Sequence, residues 1–213
     1  MSCTRSKIVA LAQSWVGMNE ADGSHKKIID IYNSHKPRPR NHKLQYDEPW
    51  CAGAASALAI ACNAIDIIPI ECSCSKMIEI AKAMGIWVEA DNYIPKPADF
   101  LLYDWQDKGN GDNTGIPDHI GIVEAVVGYD IIIIEGNYKN SVRRRSKEVD
   151  GMNIRGFIAP HYDEEKPVEV EEEKLVVETP VEEKPVEQTK PEHEKCSLFA
   201  LIIRAILKLL KGG

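Results

Sequence analysis

The chain has 213 residues, 44% of them hydrophobic, which is enough for one globular domain with a core and some additional sequence. The formal net charge is −7, but residues 1–162 carry 18 Lys or Arg against 20 Asp or Glu, a near-neutral balance that predicts no basic face for nucleic acid, so we expect no nucleic-acid partner. Because the first residues lack the apolar run of a signal peptide and no stretch reaches the roughly 20 apolar residues of a membrane span, we expect cytoplasmic synthesis without a standard secretion signal.

Residues 1–162 begin with helical periodicity. Thr4 suits the N-cap of a first helix that ends near Gly17, and this helix has an apolar face made of Ile8, Leu11, Ala12 and Trp15. Residues 35–49 contain several prolines and little periodicity, which predicts a loop. Pro49 suits the first turn of a third helix. The helices after the first are expected at residues 26–33, at residues 50–64 and from Ser73 or Ser75 to Met84.

The later part of this region changes to strand patterns. Short runs rich in Val and Ile, separated by turn residues, predict strands at residues 99–105, 119–127, 131–135, 142–149 and 154–160. Gly128 and Asp130 belong to a tight turn between two of these strands. Helices followed by an antiparallel sheet predict an α+β fold, with the N-terminal helices packed on the sheet.

Two further segments follow the predicted domain. Residues 163–195 hold 13 acidic and five basic residues, no aromatic residue and a repeated Glu-Lys-Pro-Val-Glu, which predicts a disordered acidic linker. Residues 196–213 place apolar side chains on one helical face and Arg204, Lys208 and Lys211 on the opposite face. This pattern is typical of a basic amphipathic helix that contacts a membrane or envelope surface, or that makes the chain an oligomer.

The most informative stretch is Pro-Trp-Cys51-Ala-Gly. If Pro49 opens the third helix, Cys51 lies in its first turn, where unpaired backbone N–H groups and the helix dipole favour a thiolate. The same N–H groups can stabilise the oxyanion that forms when an amide carbonyl is attacked. The alternative is that Cys51 is a small buried apolar residue, as free cysteines often are.

Two later blocks supply partners for such a thiolate. His119 begins a predicted strand in Pro-Asp-His119-Ile-Gly-Ile-Val-Glu, where its imidazole can take the thiol proton near neutral pH. Another strand ends in Ile-Glu135-Gly-Asn137, and either polar side chain can orient an imidazole. The alternatives are a structural histidine and a solvated strand end. The order Cys, His, Glu or Asn favours a catalytic set.

With these three blocks the sequence resembles the CHAP family of cysteine, histidine-dependent amidohydrolases and peptidases, over roughly residues 4–160. The resemblance implies a papain-like fold and cleavage of amide bonds in bacterial peptidoglycan, by an N-acetylmuramoyl-L-alanine amidase or an endopeptidase. It also implies that Cys51 is the nucleophile, that His119 is the general base, and that Glu135 and Asn137 orient the imidazole.

For three aromatic residues the resemblance suggests only general roles. Tyr46 is a candidate oxyanion or substrate contact. Trp50 and Trp105 are candidates to line the cleft, with buried packing as the favoured alternative for both. Neither a known wall-binding module nor an export signal is visible, which fits a phage or prophage lysin that is released from the cytoplasm to the cell wall. Peptidoglycan is then the expected partner.

Metal binding is the weaker interpretation of two other stretches. Residues 104–113 are rich in Asp, Asn and Gly, so calcium is conceivable, but the EF-hand spacing is missing and a flexible loop is favoured. Cys62, Cys72 and Cys74 lack the spacing of a zinc site, and we expect them to be structural. No cofactor is therefore predicted, with calcium as the open alternative. Residues 143–145 are three arginines on a predicted strand, typical of a sheet edge.

Two other functions stay open. The first is an NlpC-type or papain-like cysteine peptidase or transamidase that acts on a protein substrate. The second is a non-catalytic module that binds cell-wall peptides. Alkylation distinguishes catalysis from binding, because a nucleophilic Cys51 reacts with iodoacetamide well below about pH 8, while a structural Cys62 does not.

Overall fold

The computed structural model describes residues 3–90, 92–109 and 113–164. The predicted amphipathic helix at residues 196–213 lies outside the described residues, and so does the predicted linker apart from its first two positions. Within the described ranges, no helix is both long and apolar enough to cross a membrane.

Four α-helices come first: α1 (Arg5–Trp15), α2 (Lys26–Ser34), α3 (Cys51–Ala61) and α4 (Cys74–Ala83). Thr4 caps α1 as predicted, because its hydroxyl accepts the backbone N–H of Lys7 at 3.4 Å. Helix α3 is buried without interruption from Cys51 to Ala59. Its small side chains let the backbone approach its neighbours closely, so α3 is the central helix of the core.

Six strands follow: β1 (Trp87–Val88), β2 (Phe100–Tyr103), β3 (His119–Val127), β4 (Asp130–Tyr138), β5 (Ser141–Glu148) and β6 (Ile154–Ile158). They form one antiparallel sheet in the order β1-β6-β2-β3-β4-β5. One face packs with the helices and includes Phe100, Leu102, Ile120, Ile122 and Ile134. The other face forms a second apolar cluster that includes Leu101, Tyr103, Val123, Ile131 and Ile133.

The predicted α+β fold, with helices packed on an antiparallel sheet, is confirmed for the described residues. Strand β3 has the predicted bounds, and each of the other predicted strands overlaps an observed one. Strand β1 was not predicted. Its two residues pair with Ile158 and Phe157 of β6, and a run of two residues is too short to show alternation.

The predicted third helix is corrected at both ends. It begins at Cys51 with Trp50 as its N-cap, so Pro49 precedes the helix and is not part of its first turn. The helix ends at Ala61 because Asn63 has a φ of 56°, in the left-handed region. The N–H of Ala64 then returns to the carbonyl of Ala59 at 2.7 Å, which closes the helix end.

Candidate active site

Cys51 is the first residue of α3 and has access to unpaired backbone N–H groups. The carbonyl of Trp50 accepts the N–H of Ala54 at 2.8 Å, so the N–H groups of residues 51–53 have no acceptor within the helix. Cys51 is only 8% exposed. The helix terminus therefore presents its positive end to a sulfur atom that is mostly shielded from water.

His119 is the first residue of β3, paired with Tyr103 of β2. The centroid of its ring lies 5.7 Å from that of Tyr103, 6.0 Å from that of Trp105 and 6.5 Å from that of Tyr138. Only 7% of the residue is exposed. The aromatic rings thus fix the imidazole at the end of the strand and exclude most of the water around it.

Glu135 lies on β4 and is completely buried. Its Oε2 atom lies 3.7 Å from Nε2 of His119, the distance of an ion pair and not of a hydrogen bond. Gly121 of β3 makes room for this carboxylate, because a Cβ atom at that position would lie 2.7 Å from Cγ of Glu135. The structure therefore brings together Cys51, His119 and Glu135 of the predicted set.

The surroundings of Cys51 lower the pKa of its thiol well below the ordinary value. Contact with the Cys74 thiol is the largest cause, burial opposes it, and His119 and the N–H of Ala52 lower the pKa further. Burial lowers the pKa of His119, but the contacts with Cys51 and Glu135 outweigh burial and raise this pKa to about 9. These shifts favour a thiolate on Cys51 and an imidazolium on His119 at neutral pH.

Arg145 is a site residue that the sequence interpretation missed. It lies on β5, and its Nη1 atom is 3.4 Å from Oε2 of Glu135. Its guanidinium carbon lies 4.3 Å from the ring centroid of Tyr138, 5.3 Å from that of Tyr103 and 5.4 Å from that of Trp105. The buried carboxylate thus has two cationic neighbours, which offsets the free energy lost when it leaves water.

The neighbouring Arg144 has a different environment. Its guanidinium binds Glu124 of β3 at 2.6 Å and is 46% exposed. Strand β5 is an edge strand, as predicted for the three arginines, and alternate side chains on it point to opposite faces. Arg145 therefore belongs to the site, while Arg144 forms an ordinary surface ion pair.

Cys74 is the second residue that the sequence interpretation missed. It is the first residue of α4, and its Sγ atom lies 4.0 Å from Sγ of Cys51. We expected a structural cysteine flanking a helix, and the helix position agrees with that expectation. Its contact with the candidate nucleophile brings together residues 23 positions apart, through the packing of two helix N-termini.

Asn137 differs from Glu135 in its relation to the His119 imidazole. Its φ is 61°, and it lies in an irregular stretch of the β4–β5 pairing between Glu135 and Tyr138. Such an irregularity redirects side chains. In the part of the chain that the structure describes, no hydrogen bond joins the Asn137 side chain to His119, so Glu135 alone of the two predicted groups is the partner of the imidazole.

The three predicted aromatic contacts lie in different environments. Tyr46 is 42% exposed, and its hydroxyl donates to Asp30 at 2.7 Å. Trp50 is completely buried and donates from Nε1 to Glu20 at 3.0 Å. Its environment is that of a packed core residue, which was the favoured alternative to lining the cleft. Trp105 is 41% exposed and stacks near His119, which places it where a cleft residue is expected.

The two possible metal sites can be compared with the described residues only. Among them, no group of three or more His, Cys, Asp or Glu side chains is arranged to hold a metal ion. In the oxygen-rich loop, Asp104 accepts the N–H of Gln106, and Asp107 accepts the N–H of Gly109. Residues 110–112 lie outside the described residues, so the calcium alternative stays a prediction.

Comparisons with known proteins give little similarity. No protein-family model and no curated protein matches the chain. A solved structure titled "The crystal structure of Ly7917" is similar over 52% of this chain, with 20% sequence identity and a TM-score of 0.34. The match spans 53% of that chain, about half its length. A likeness this weak carries no argument about fold or function.

The chemistry of the site follows from its own residues. Cys51 supplies a nucleophilic sulfur, His119 carries a proton beside it, and the carboxyl group of Glu135 lies 3.7 Å from the imidazole. The N-terminus of α3 adds backbone N–H donors that can stabilise a developing oxyanion. These are the parts that nucleophilic attack on an amide or ester carbonyl requires.

Proposed function

We propose that this chain is a cysteine hydrolase of the CHAP type, with a papain-like catalytic domain, that cleaves amide bonds in bacterial peptidoglycan. The observation that carries the proposal is the position of Cys51 at the N-terminus of α3, in contact with a His119 imidazolium that has the buried Glu135 behind it. A merely structural cysteine has no need of a proton carrier and a buried acid beside it.

Acylation begins from the thiolate and imidazolium pair. The Cys51 sulfur attacks the amide carbonyl, a C–S bond forms, and the carbonyl oxygen becomes an oxyanion that the N–H groups at the start of α3 stabilise. His119 then donates its proton to the leaving nitrogen as the C–N bond breaks. The products of this half-reaction are a thioester on Cys51 and a free amine.

Deacylation uses the same imidazole in the opposite direction. Neutral His119 takes a proton from water, the resulting hydroxide attacks the thioester carbonyl, and the C–S bond breaks to release a carboxylic acid. The imidazole ends as imidazolium beside the regenerated thiolate. The Glu135 side chain, whose Oε2 lies 3.7 Å from Nε2 of His119, stabilises the imidazolium.

The choice of peptidoglycan as substrate rests on the sequence resemblance. A polar cleft of about 390 Å³ is compatible with a charged peptide, because Glu20, Lys139 and Arg143 are among the residues that line it. Glu20 also accepts the indole N–H of Trp50, the residue before the nucleophile. Both the sugar–peptide amide and a bond within the stem peptide or cross-bridge fit this proposal.

Further parts of the proposal concern the route to the cell wall. The chain reaches the wall after cytoplasmic synthesis, as a phage or prophage lysin does, and residues 196–213 contact the envelope surface or join chains into an oligomer. Purified chain that lacks these residues will bind vesicles containing anionic lipid less tightly than the full chain if the contact is with lipid. A change in oligomeric state on their removal supports self-association instead.

The deciding experiment is digestion of purified cell walls by the wild type, by Cys51→Ala and by Cys62→Ala. We expect soluble fragments from the wild type and the Cys62 variant only, and mass spectrometry of these fragments names the bond that is cut. Transfer of an added amine to the fragments indicates a transamidase. Equal digestion by the Cys51 variant, or no digestion of several wall types alongside cleavage of a protein, overturns the proposal.

A further inference from the structure

Two cysteines lie against each other at the candidate site, and the proposed hydrolysis uses only one of them. Cys51 begins α3 and Cys74 begins α4, and their Sγ atoms are 4.0 Å apart. Cys51 is 8% exposed and Cys74 is 7% exposed, so both residues keep a small contact with solvent. Both cysteines are free thiols in this structure.

The two sulfurs also differ in protonation. The pKa of Cys51 lies well below the ordinary value, whereas contact with Cys51, burial and the nearby Asp118 raise the pKa of Cys74 well above it. The contact is therefore one between a thiolate and a thiol. A peroxide reacts with the Cys51 thiolate before it reacts with a thiol. The Cys74 thiol then lies beside the oxidised sulfur of Cys51.

We propose that Cys74 is a resolving thiol, which forms a reversible disulfide with Cys51 when a hydroperoxide oxidises the nucleophile. The chemistry of the disulfide depends only on the two sulfurs. Its consequence, reversible inactivation of a hydrolase, rests on the proposed function. A disulfide needs an S–S distance of about 2.05 Å, so the sulfurs must approach by about 2 Å. Rotation of the side chains and a small shift of either helix N-terminus supply this movement.

The two steps balance with hydrogen peroxide as the oxidant. The Cys51 thiolate first attacks one peroxide oxygen, an S–O bond forms, the O–O bond breaks, and the leaving hydroxide takes the proton held by His119. The Cys74 sulfur then attacks the sulfur of the Cys51 sulfenic acid, an S–S bond forms, and the S–O bond breaks. The proton of Cys74 leaves with the hydroxide as water. Together the sulfurs lose two electrons, and one peroxide becomes two molecules of water.

A resolving thiol changes the outcome of oxidation. Without it, a sulfenic acid that meets more peroxide becomes a sulfinic acid, which ordinary thiols do not reduce. With Cys74 4.0 Å away, the intramolecular step competes with further oxidation, and a reducing thiol can later restore Cys51. Oxidation then becomes a reversible switch of the nucleophile.

The test uses the full chain, treated with a small excess of hydrogen peroxide and then analysed by peptide mapping. We expect a peptide that bridges Cys51 and Cys74, a loss of two hydrogens from the intact mass, and nearly complete recovery of Cys51 alkylation by iodoacetamide after reduction with dithiothreitol. In Cys74→Ser we expect recovery to fall to about a tenth, because Cys51 proceeds to the sulfinic acid. Cys72→Ser is the matched control, since Cys72 lies two residues before Cys74 and its sulfur accepts a hydrogen bond from Arg40, and this variant should behave as the wild type.

The inference is overturned if wild-type Cys51 resists peroxide, if it becomes sulfinic acid without a bridging peptide, or if the bridge joins Cys51 to another cysteine. These readouts come from the wild type, so they decide the question even if Cys74→Ser fails to fold. They also require no cell-wall digestion. A disulfide without wall hydrolysis refutes the proposed function alone, and wall hydrolysis without a disulfide refutes the resolving role of Cys74 alone.

Discussion

Nη1 of Arg145 lies 3.4 Å from Oε2 of Glu135, so the cation on the edge strand reaches the buried carboxylate of the neighbouring strand. The same carboxylate oxygen lies 3.7 Å from His119. The two cations stand at similar distances from one negative charge. Arg145 therefore contacts the candidate site through Glu135.

Removal of Arg145 leaves a completely buried carboxylate with one cationic neighbour. We expect Arg145→Gln to lower the free energy of unfolding by about 1–3 kcal/mol, because a buried carboxylate that loses one of its two ion-pair partners is less well compensated. Urea unfolding of the purified variant measures this change. Arg144→Gln is the control on the same strand, and its exposed ion pair should contribute no more than about 1 kcal/mol. Equal effects of the two variants would show that Arg145 has no special role.

The pKa values of Cys51 and His119 predict a bell-shaped pH profile. The thiolate forms as the pH rises through the lowered pKa of Cys51, and the imidazolium is lost as the pH rises through about 9. We expect kcat/KM for wall digestion to be high at neutral pH and to fall near pH 9. Alkylation of Cys51 should already be fast at neutral pH. A single rise in the alkylation rate above about pH 8, as for an ordinary thiol, contradicts this prediction.

Glu135 is one of the groups that raise the pKa of His119. In Glu135→Gln this contribution is lost, so we expect the alkaline limb of the pH profile to move to lower pH. Because one pKa unit is a factor of ten in protonation, the loss of activity should be greater near pH 8 than near pH 6. Glu124→Gln is the control, since that carboxylate binds Arg144 away from the imidazole. An unchanged alkaline limb in Glu135→Gln would show that Glu135 does not raise the pKa of His119.

Gly136 lets β4 approach α3 closely, because a Cβ atom there would lie 2.6 Å from Cβ of Ala54 and 3.0 Å from Cζ3 of Trp50. We expect Gly136→Ala to destabilise the protein by about 1–3 kcal/mol through overpacking, and to reduce activity by displacing the start of α3. The double variant with Ala54→Gly removes the nearer atom. In a double-mutant cycle measured by urea unfolding, the two changes should show favourable coupling. Simple additivity would refute the steric explanation.

Local patterns were sufficient to predict much of the fold. Strand β3 is a run rich in Ile and Val that is bounded by turn residues, and Thr4 is a cap with a recognisable side chain, so both could be located from neighbouring residues alone. Strand β1 could not, because it exists only through its pairing with β6. The three blocks predicted that Cys51, His119 and Glu135 lie together, and the structure places Glu135 3.7 Å from His119, with His119 among the groups that lower the pKa of Cys51.

The missed site residues depend on long-range packing. Cys74 reaches Cys51 only because the N-termini of α3 and α4 meet, which no local pattern encodes. For Arg145 a signal was present: the short connection between β4 and β5 places Glu135 opposite Arg143, and alternate residues share a face. The same alternation would place the Asn137 side chain on the face of Glu135. The irregular pairing between Glu135 and Tyr138 makes this argument unreliable, because such an irregularity changes which side chains point to the site.

Helix α3 carries the candidate nucleophile at its first residue and is buried without interruption through Ala59. Its displacement would therefore expose the centre of the core, so no partial opening can release Cys51 while the rest of the domain stays folded. Heat should consequently abolish thiolate reactivity and circular dichroism in a single cooperative transition. Thermal inactivation then reports global unfolding directly, and a substitution that raises the melting temperature should raise the temperature of half-inactivation by about the same number of degrees.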